Sequence, residues 1–253
     1  MNDEQLKTRA AELAPWYHQM ELAPGLWTES NMTGHRLPDV WRMVRGVREG
    51  LDYRGATVLD VGTMSGMWAF EAERLGARTV IAADIYQAAD GARVYEQFLL
   101  AREAYRSRAV LVPNGDAHRL YERLDSVRLA WRLGRGFDII QCLGVLYHLQ
   151  NPLLALRNLR RCAAASGWLL LETACFPNGG AVPMMRGNAD LGIYHDRTTY
   201  WSPNQACLFG LLRESGWEPE LSTVRVHPER TDRICLLAKA VREPAEDSLG
   251  LVA

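Results

Sequence analysis

Short apolar runs alternate with longer amphipathic segments through most of the chain, the pattern of a parallel sheet covered by helices on both faces. Ala56 to Asp60 reads as a first strand, and Gly66 to Gly76 as a helix with Trp68, Ala72 and Leu75 on one face. Thr79 to Asp84 is a second strand. Asp90 is placed to cap a helix running to about Arg106, Ala109 to Pro113 is a third strand, and 117–133 is helical by pattern. Phe137 to Leu143 is a fourth strand. Asn151-Pro152 starts the next helix with a cap residue and a proline at the first helical position; Leu153, Leu156, Leu159 and Ala163 are its buried face. Trp168 to Thr173 is apolar without interruption, as a doubly covered central strand should be. After a helix from about Pro203 to Ser215, Glu220 to Val226 and Arg233 to Val241 follow with no helix between them, which predicts a hairpin at the sheet edge. Upstream, 3–13 and 37–49 are helix-compatible.

Residues 175–202 break this rhythm. They begin CFPNGGAVPMMRG, carry prolines and glycines without clean periodicity, and are expected to form a substrate-covering insert. The division expected is an N-terminal helical segment and lid over 1–50, a catalytic domain over 51–242 and a tail over 243–253. Of 29 Lys and Arg residues only Lys7 and Lys239 are lysines, and 30 acids leave a net charge of −1. That balance argues against a dedicated nucleic-acid binder and leaves room for a local basic face. The five cysteines show no zinc-like spacing, so a catalytic metal is not expected, and reduced thiols in a cytoplasmic protein are. The first fifteen residues are charged and lack an apolar stretch, arguing against a secretory signal, and no apolar run approaches the ~20 residues of a membrane helix.

The sharpest local signal is Asp60-Val61-Gly62-Thr63-Met64-Ser65-Gly66, where a strand ends in an acid and turns directly into a helix. Gly62 and Gly66 admit close approach of a ligand, and the helix start offers unpaired N–H groups. The DxGxxxG spacing, with Thr63 and Met64 crowding the turn, disfavours a pyrophosphate and suits a ligand without phosphates. Asp84 ends the second strand where acids of nucleotide-binding α/β folds hold ribose hydroxyls, with Ile85 beside it. Asp116 and Ala117 follow the third strand at the same rim. Asp116 by itself reads as a helix cap; in series with Asp60 and Asp84 it reads as part of a ligand rim.

DVGTMSG, Asp84, GDA, GFDIIQCLGVLYHL and GWLLLETA resemble class I S-adenosylmethionine (SAM)-dependent methyltransferases, over roughly residues 50–175. GVLYHLQNPLLALRNL and WYHQMELAPG are similar to the branch of the tRNA wobble-uridine carboxymethyltransferases (CmoB-like). The resemblance implies a Rossmann-like α/β fold: a mostly parallel seven-stranded sheet with an antiparallel edge strand and helices on both faces. It implies SAM as cofactor and S-adenosylhomocysteine (SAH) as product. It places Asp60, Gly62 and Gly66 on the methionine and ribose side, Asp84 at the ribose, Asp116 and Ala117 at the adenine, and Leu143 with Tyr147 closing the pocket. The family's carboxymethylated cofactor is met by a cluster that includes a lysine in the N-terminal motif. Trp16-Tyr17-His18-Gln19-Met20 has none, and an unpaired buried carboxylate is costly, so ordinary SAM is expected. Thr63-Met64 replaces the family's usual cysteine-glycine and alters the pocket floor.

Methyl transfer needs alignment of an electron-rich atom and, where the acceptor loses a proton, a base. His148 is the expected base and Tyr147 the ring facing the sulfonium, with a structural histidine as the plainer reading of His148. Tyr194-His195-Asp196-Arg197 makes His195 a second candidate, against a chance charge cluster on a loop. Tyr17, with Trp16, His18 and Trp27, either folds over the cofactor or packs the N-terminal helix onto the domain. The expected function is methylation of a small molecule, with no nucleic-acid or membrane partner and the oligomeric state open. The alternatives are cyclisation or elimination of SAM without an external acceptor, tRNA wobble-uridine modification, and a non-catalytic SAM-binding protein.

Overall fold

The computed structural model describes residues 1–31, 37–86, 90–126, 136–177, 181–188, 196–228 and 232–241. Its centre is a sheet of β3 (Thr57–Val61), β4 (Thr79–Asp84), β5 (Val110–Pro113), β6 (Phe137–Leu143), β7 (Ala163–Ala174), β10 (Trp217–Val226) and β11 (Arg233–Ala240). The strand order is β10-β11-β7-β6-β3-β4-β5, with β3, β4, β5, β6 and β7 parallel. The expected hairpin sits at the edge: β11 runs antiparallel to β7, and β10 reverses again beside it. Five residues of β3 are all buried, which requires cover on both faces.

Alternation within the strands divides the core in two. Val58, Val80, Ala82, Ile139 and Leu170 face α2 (Leu37–Arg48), α3 (Met67–Arg74) and α4 (Gly91–Ala104), together with the N-terminal segment. Leu59, Ile81, Ile140, Leu169 and Leu171 face α5 (Leu120–Ser126), α6 (Pro152–Cys162) and α7 (Gln205–Glu214). Asn151 caps α6 as its sequence predicts, its side chain accepting the Leu154 N–H at 3.0 Å ahead of Pro152. Asp90 precedes α4 but its side chain makes no cap bond; it pairs with Arg93 at 2.5 Å instead. Of the helix expected over 117–133, only α5 lies within the described residues.

Two small elements have no counterpart in the periodicity. In the N-terminal segment, after α1 (Asp3–Glu12), β1 (Glu21–Ala23) and β2 (Leu26–Trp27) form a hairpin. In the 175–202 insert, β8 (Met185–Gly187) pairs with β9 (Trp201–Pro203). Both are two or three residues long, too short for a period to register. No helix among the described residues is long and apolar enough to cross a membrane.

Candidate functional site

The chain leaves β3 for β4 and β5 on one side, then returns to lay β6 against the other side of β3. This reversal leaves a crevice at the carboxyl ends of β3 and β6, the position where open α/β sheets bind ligands. The glycine turn stands at its mouth. Gly62 has φ +69° and a Cβ there would lie 2.4 Å from Val145 Cγ2, so backbone and the loop after β6 meet directly. Gly66 has φ +92° and a Cβ there would lie 2.4 Å from Phe70 Cε2. Only glycine serves at both positions.

Asp60 ends β3 almost fully buried. Its Oδ1 accepts the Gln141 amide at 3.2 Å, and Gln141 in turn accepts the Tyr53 hydroxyl at 2.8 Å. Burial pushes the Asp60 carboxyl up to about 7, against the pull of that amide. Asp60 Oδ2 and the Thr63 hydroxyl are both buried beside one another at the turn, and the hydroxyl also draws the Asp60 pKa down, against the larger effect of burial. Asp84, at the end of β4, accepts the Met64 N–H at 2.8 Å and the Tyr86 N–H at 3.1 Å, and its burial raises its pKa. Asp84 therefore holds the glycine turn in shape, and each oxygen retains a second lone pair. Ile85 beside it is 43% exposed, an apolar surface at the crevice rim.

The turn after β5 behaves differently. Asp116 Oδ1 accepts the His118 N–H at 2.9 Å and lies 2.8 Å from His118 Nδ1, while His118 Nε2 accepts the Asn151 N–H at 3.2 Å. That is an Asx-type turn ahead of α5, which begins only at Leu120, so Asp116 is not its cap; Ala117 is buried behind the turn. Leu143 is half-buried at the end of β6.

Next to Leu143 the structure assembles a group that no motif announces. Arg233, at the start of β11, donates to Glu172 of β7 through Nε at 2.7 Å and Nη2 at 2.6 Å, both side chains buried. The Tyr147 ring lies 4.6 Å from that guanidinium and 4.0 Å from the His148 ring. Burial opposes the charge on Arg233, but Glu172 and Tyr147 hold its pKa well above the ordinary value. Glu172 is the lone acid in GWLLLETA, and Arg233 opens β11, whose other charged residue, Lys239, lies near its far end; the sequence marks the pair only by these breaks in apolarity.

His148 closes a 3₁₀ turn, Leu146–His148, with Nδ1 2.9 Å from the Thr198 carbonyl and 3.0 Å from its hydroxyl. A carbonyl partner requires the proton on Nδ1, so Nε2 carries the free lone pair. Burial, the largest influence, lowers the His148 pKa, which keeps the ring neutral near pH 7. His195 and Tyr194 lie outside the described residues.

At the other end of the turn, His18 is buried with Nδ1 3.0 Å from Ser65 Oγ. Burial lowers its pKa to about 3. Tyr17 packs its ring edgewise on His18 at 4.9 Å and near Trp41, and Trp16 is fully buried with its indole N–H on the Ala10 carbonyl at 2.9 Å. The N-terminal aromatics thus pack the segment onto the domain and touch the glycine turn through His18. Among the described residues no group of three His, Cys, Asp or Glu side chains could hold a metal ion.

Glycines at positive φ, a buried acid and a second rim acid fit the ribose and methionine of SAM, and residues 62–66 of the turn include no basic side chain to meet a phosphate. Comparison with known proteins agrees. A methyltransferase-domain model matches residues 35–220. The tRNA U34 carboxymethyltransferase of Campylobacter hominis is 32% identical over 123 residues, 49% of this chain and 38% of that protein. The tRNA U34 carboxymethyltransferase of Helicobacter pylori strain Shi470 is 31% identical over 174 residues, 68% of this chain and 60% of that protein. The chain thus spans about 40–60% of the length of these curated relatives. Among solved structures, the N-terminal domain of EvdMO1 with SAH bound superposes with a TM-score of 0.60 at 18% identity, covering 95% of this chain and 97% of that one. The relatives overturn two expectations, a small-molecule acceptor and no nucleic-acid partner, since the proteins matched are named for tRNA. Net charge summed over 253 residues could not decide either point, because it carries no information on how charge is distributed over the surface. The chain belongs to the methyltransferase-domain family, and its fold is that of the SAM-dependent transferases.

Proposed function

We propose that this chain modifies the wobble uridine, U34, of tRNA, drawing the transferred group from the sulfonium of SAM. The observation that carries the reading is the set of curated relatives named for that reaction, matching up to about three quarters of this chain. The site chemistry is compatible with it. SAM supplies an electrophilic carbon when bound. Asp60 with Gly62, Thr63 and Gly66, and Asp84 with Ile85, hold its methionine and ribose; Asp116 and Ala117 line the adenine side, and Leu143 closes the pocket with Tyr147. His148 Nε2 accepts the acceptor's proton, and the Tyr147 ring offers a face to the sulfonium charge.

The transferred group follows from charge. A carboxymethyl group brings a carboxylate that a dry site must neutralise. Arg233 is already matched by Glu172, and the Trp16-Tyr17-His18-Gln19-Met20 stretch has no lysine, its His18 being neutral through the physiological range. A plain methyl group needs no such counter-charge and suits this site better.

The test is to incubate the protein with tRNA lacking modification at position 34 and either SAM or carboxymethylated SAM, then digest the tRNA and weigh the nucleosides. A methyl gain on U34 with SAM is expected. Protein that binds SAH yet modifies no tRNA nucleoside with either cofactor would overturn the proposal.

A further inference from the structure

A cavity of about 450 Å³ opens between the β1–β2 hairpin, α2 and α3. Its walls set the aromatic rings of Trp27, Trp41 and Tyr105 among the guanidiniums of Arg42, Arg45 and Arg74. Trp27 is 53% exposed at the end of the hairpin, a large ring left in water beside arginines.

The walls carry three arginines, Arg42, Arg45 and Arg74, against two acids, Glu21 and Glu71, a balance of one positive charge. Glu71, the acid on the floor, is matched twice, by Arg45 at 2.6 Å and Arg48 at 2.6 Å. Glu21 turns back to its own hairpin and accepts the Gly25 N–H at 2.9 Å. Arg42 keeps a side chain 78% exposed, and its one ion pair among the described residues is with Asp39, on its own helix. Arg74 is exposed and makes no ion pair among the described residues.

Guanidiniums around an open indole are the chemistry of single-stranded nucleic acid, in which cations track the phosphates and aromatic faces stack the bases. Location points the same way. Met67, which lines the groove, follows Gly66 of the glycine turn, and Arg74 stands about 10 Å further along the helix, at ~1.5 Å per residue. The groove therefore begins beside the cofactor turn and leads away from it.

We propose that this groove holds unpaired nucleotides flanking the target base, with Trp27 stacked on a base and Arg42 and Arg74 against phosphates. The assignment rests on the tRNA reading above and adds where the RNA lies outside the reacting crevice.

The probe is a labelled anticodon stem-loop RNA with uridine at position 34, titrated by fluorescence anisotropy at several salt concentrations. Trp27→Ala should weaken binding about fivefold or more, the scale of one lost stack, while Trp27→Phe stays near the wild type. Arg74→Glu should weaken binding and lower the salt slope by about one. In turnover, KM for tRNA should rise with kcat held, and SAH affinity by calorimetry should be unchanged in every variant. Wild-type protein that modifies tRNA, with Trp27→Ala and Arg74→Glu binding RNA as it does, would overturn the groove and leave the function standing. Wild-type protein that neither binds nor modifies RNA would overturn both. Loss of an oligomer on Trp27→Ala, with RNA affinity untouched, would make the groove a contact between copies and also overturn it.

Discussion

Gly62 has little freedom to change. At φ +69° an alanine is strained by about 1–2 kcal/mol, and its Cβ would stand 2.4 Å from Val145 Cγ2. Gly62→Ala should therefore lower SAH affinity at least about tenfold by calorimetry, since one displaced contact of ~1.4 kcal/mol already amounts to that factor. Adding Val145→Ala should recover part of the loss, because it removes the collision and leaves the backbone strain. Unchanged affinity in Gly62→Ala would mean that this turn is not the cradle. His18 makes a second prediction. Its folded pKa is lowered to about 3 by burial, while the unfolded imidazole protonates below about 6.5. Stability from a neutral buried His18 is thus complete above pH ~6.5 and is lost as pH falls, by about 2 kcal/mol at pH 5. Asp60 acts in the opposite sense: raised to about 7, it loses stability as pH climbs from ~4 to 7 because the unfolded carboxyl ionises first. Comparing wild type with His18→Gln in urea isolates the imidazole, and the wild-type advantage should be smaller at pH 5 than at pH 7. A gap independent of pH would show that the folded imidazole protonates freely.

Between elements, the Glu172–Arg233 pair fastens β7 to β11 at the level of the crevice, with contacts of 2.6 and 2.7 Å and almost no exposure. Its worth depends on what replaces it. Glu172→Leu alone strands a buried guanidinium and should cost about 3–5 kcal/mol in urea denaturation. Arg233→Met alone strands the carboxylate, with a similar expected cost. The double variant should recover most of the loss, since an apolar pair of similar volume is often as stable as a buried ion pair. Single variants within ~1 kcal/mol of the wild type would mean that water reaches these groups. The insert is fastened to the same region, with the Tyr200 N–H on the Tyr147 carbonyl at 2.9 Å and His148 on Thr198. A change in the insert is therefore felt at the 3₁₀ turn.

Over the whole molecule, the N-terminal segment and the sheet share one core. Trp16, Met20 and Leu22 are buried in the same cluster as Val58, Val80 and Phe98, and His18 joins that cluster to Ser65 of the glycine turn. Ordering the turn with a ligand should order the segment with it. Hydrogen exchange of free and SAH-bound protein should show protection at 62–66 and, in parallel, at 16–31. Protection confined to 62–66 would leave the N-terminal segment as packing, without a share in closing the site.

Strand periods were legible because both faces of the sheet are covered: a buried strand such as Leu169 to Leu171 must be apolar wherever it sits, so composition alone marks it. The glycine turn was legible for a similarly local reason, since positive φ and close backbone approach restrict the residue type directly. Even Asp84 was placed correctly at its rim, although its bonds to Met64 and Tyr86 appear only in three dimensions. Other features depend on contacts far apart in the chain. Glu172 and Arg233 are separated by 61 positions, and His18 and Ser65 by 47. No period or spacing records such pairings, because the sheet order and the docking of the N-terminal segment bring them together. The groove beside α3 is of that kind too. Trp27 shows in the sequence only as one of the N-terminal aromatics, Arg42 and Arg74 carry no local signal, and only the packing of a hairpin against two helices gathers them on one wall.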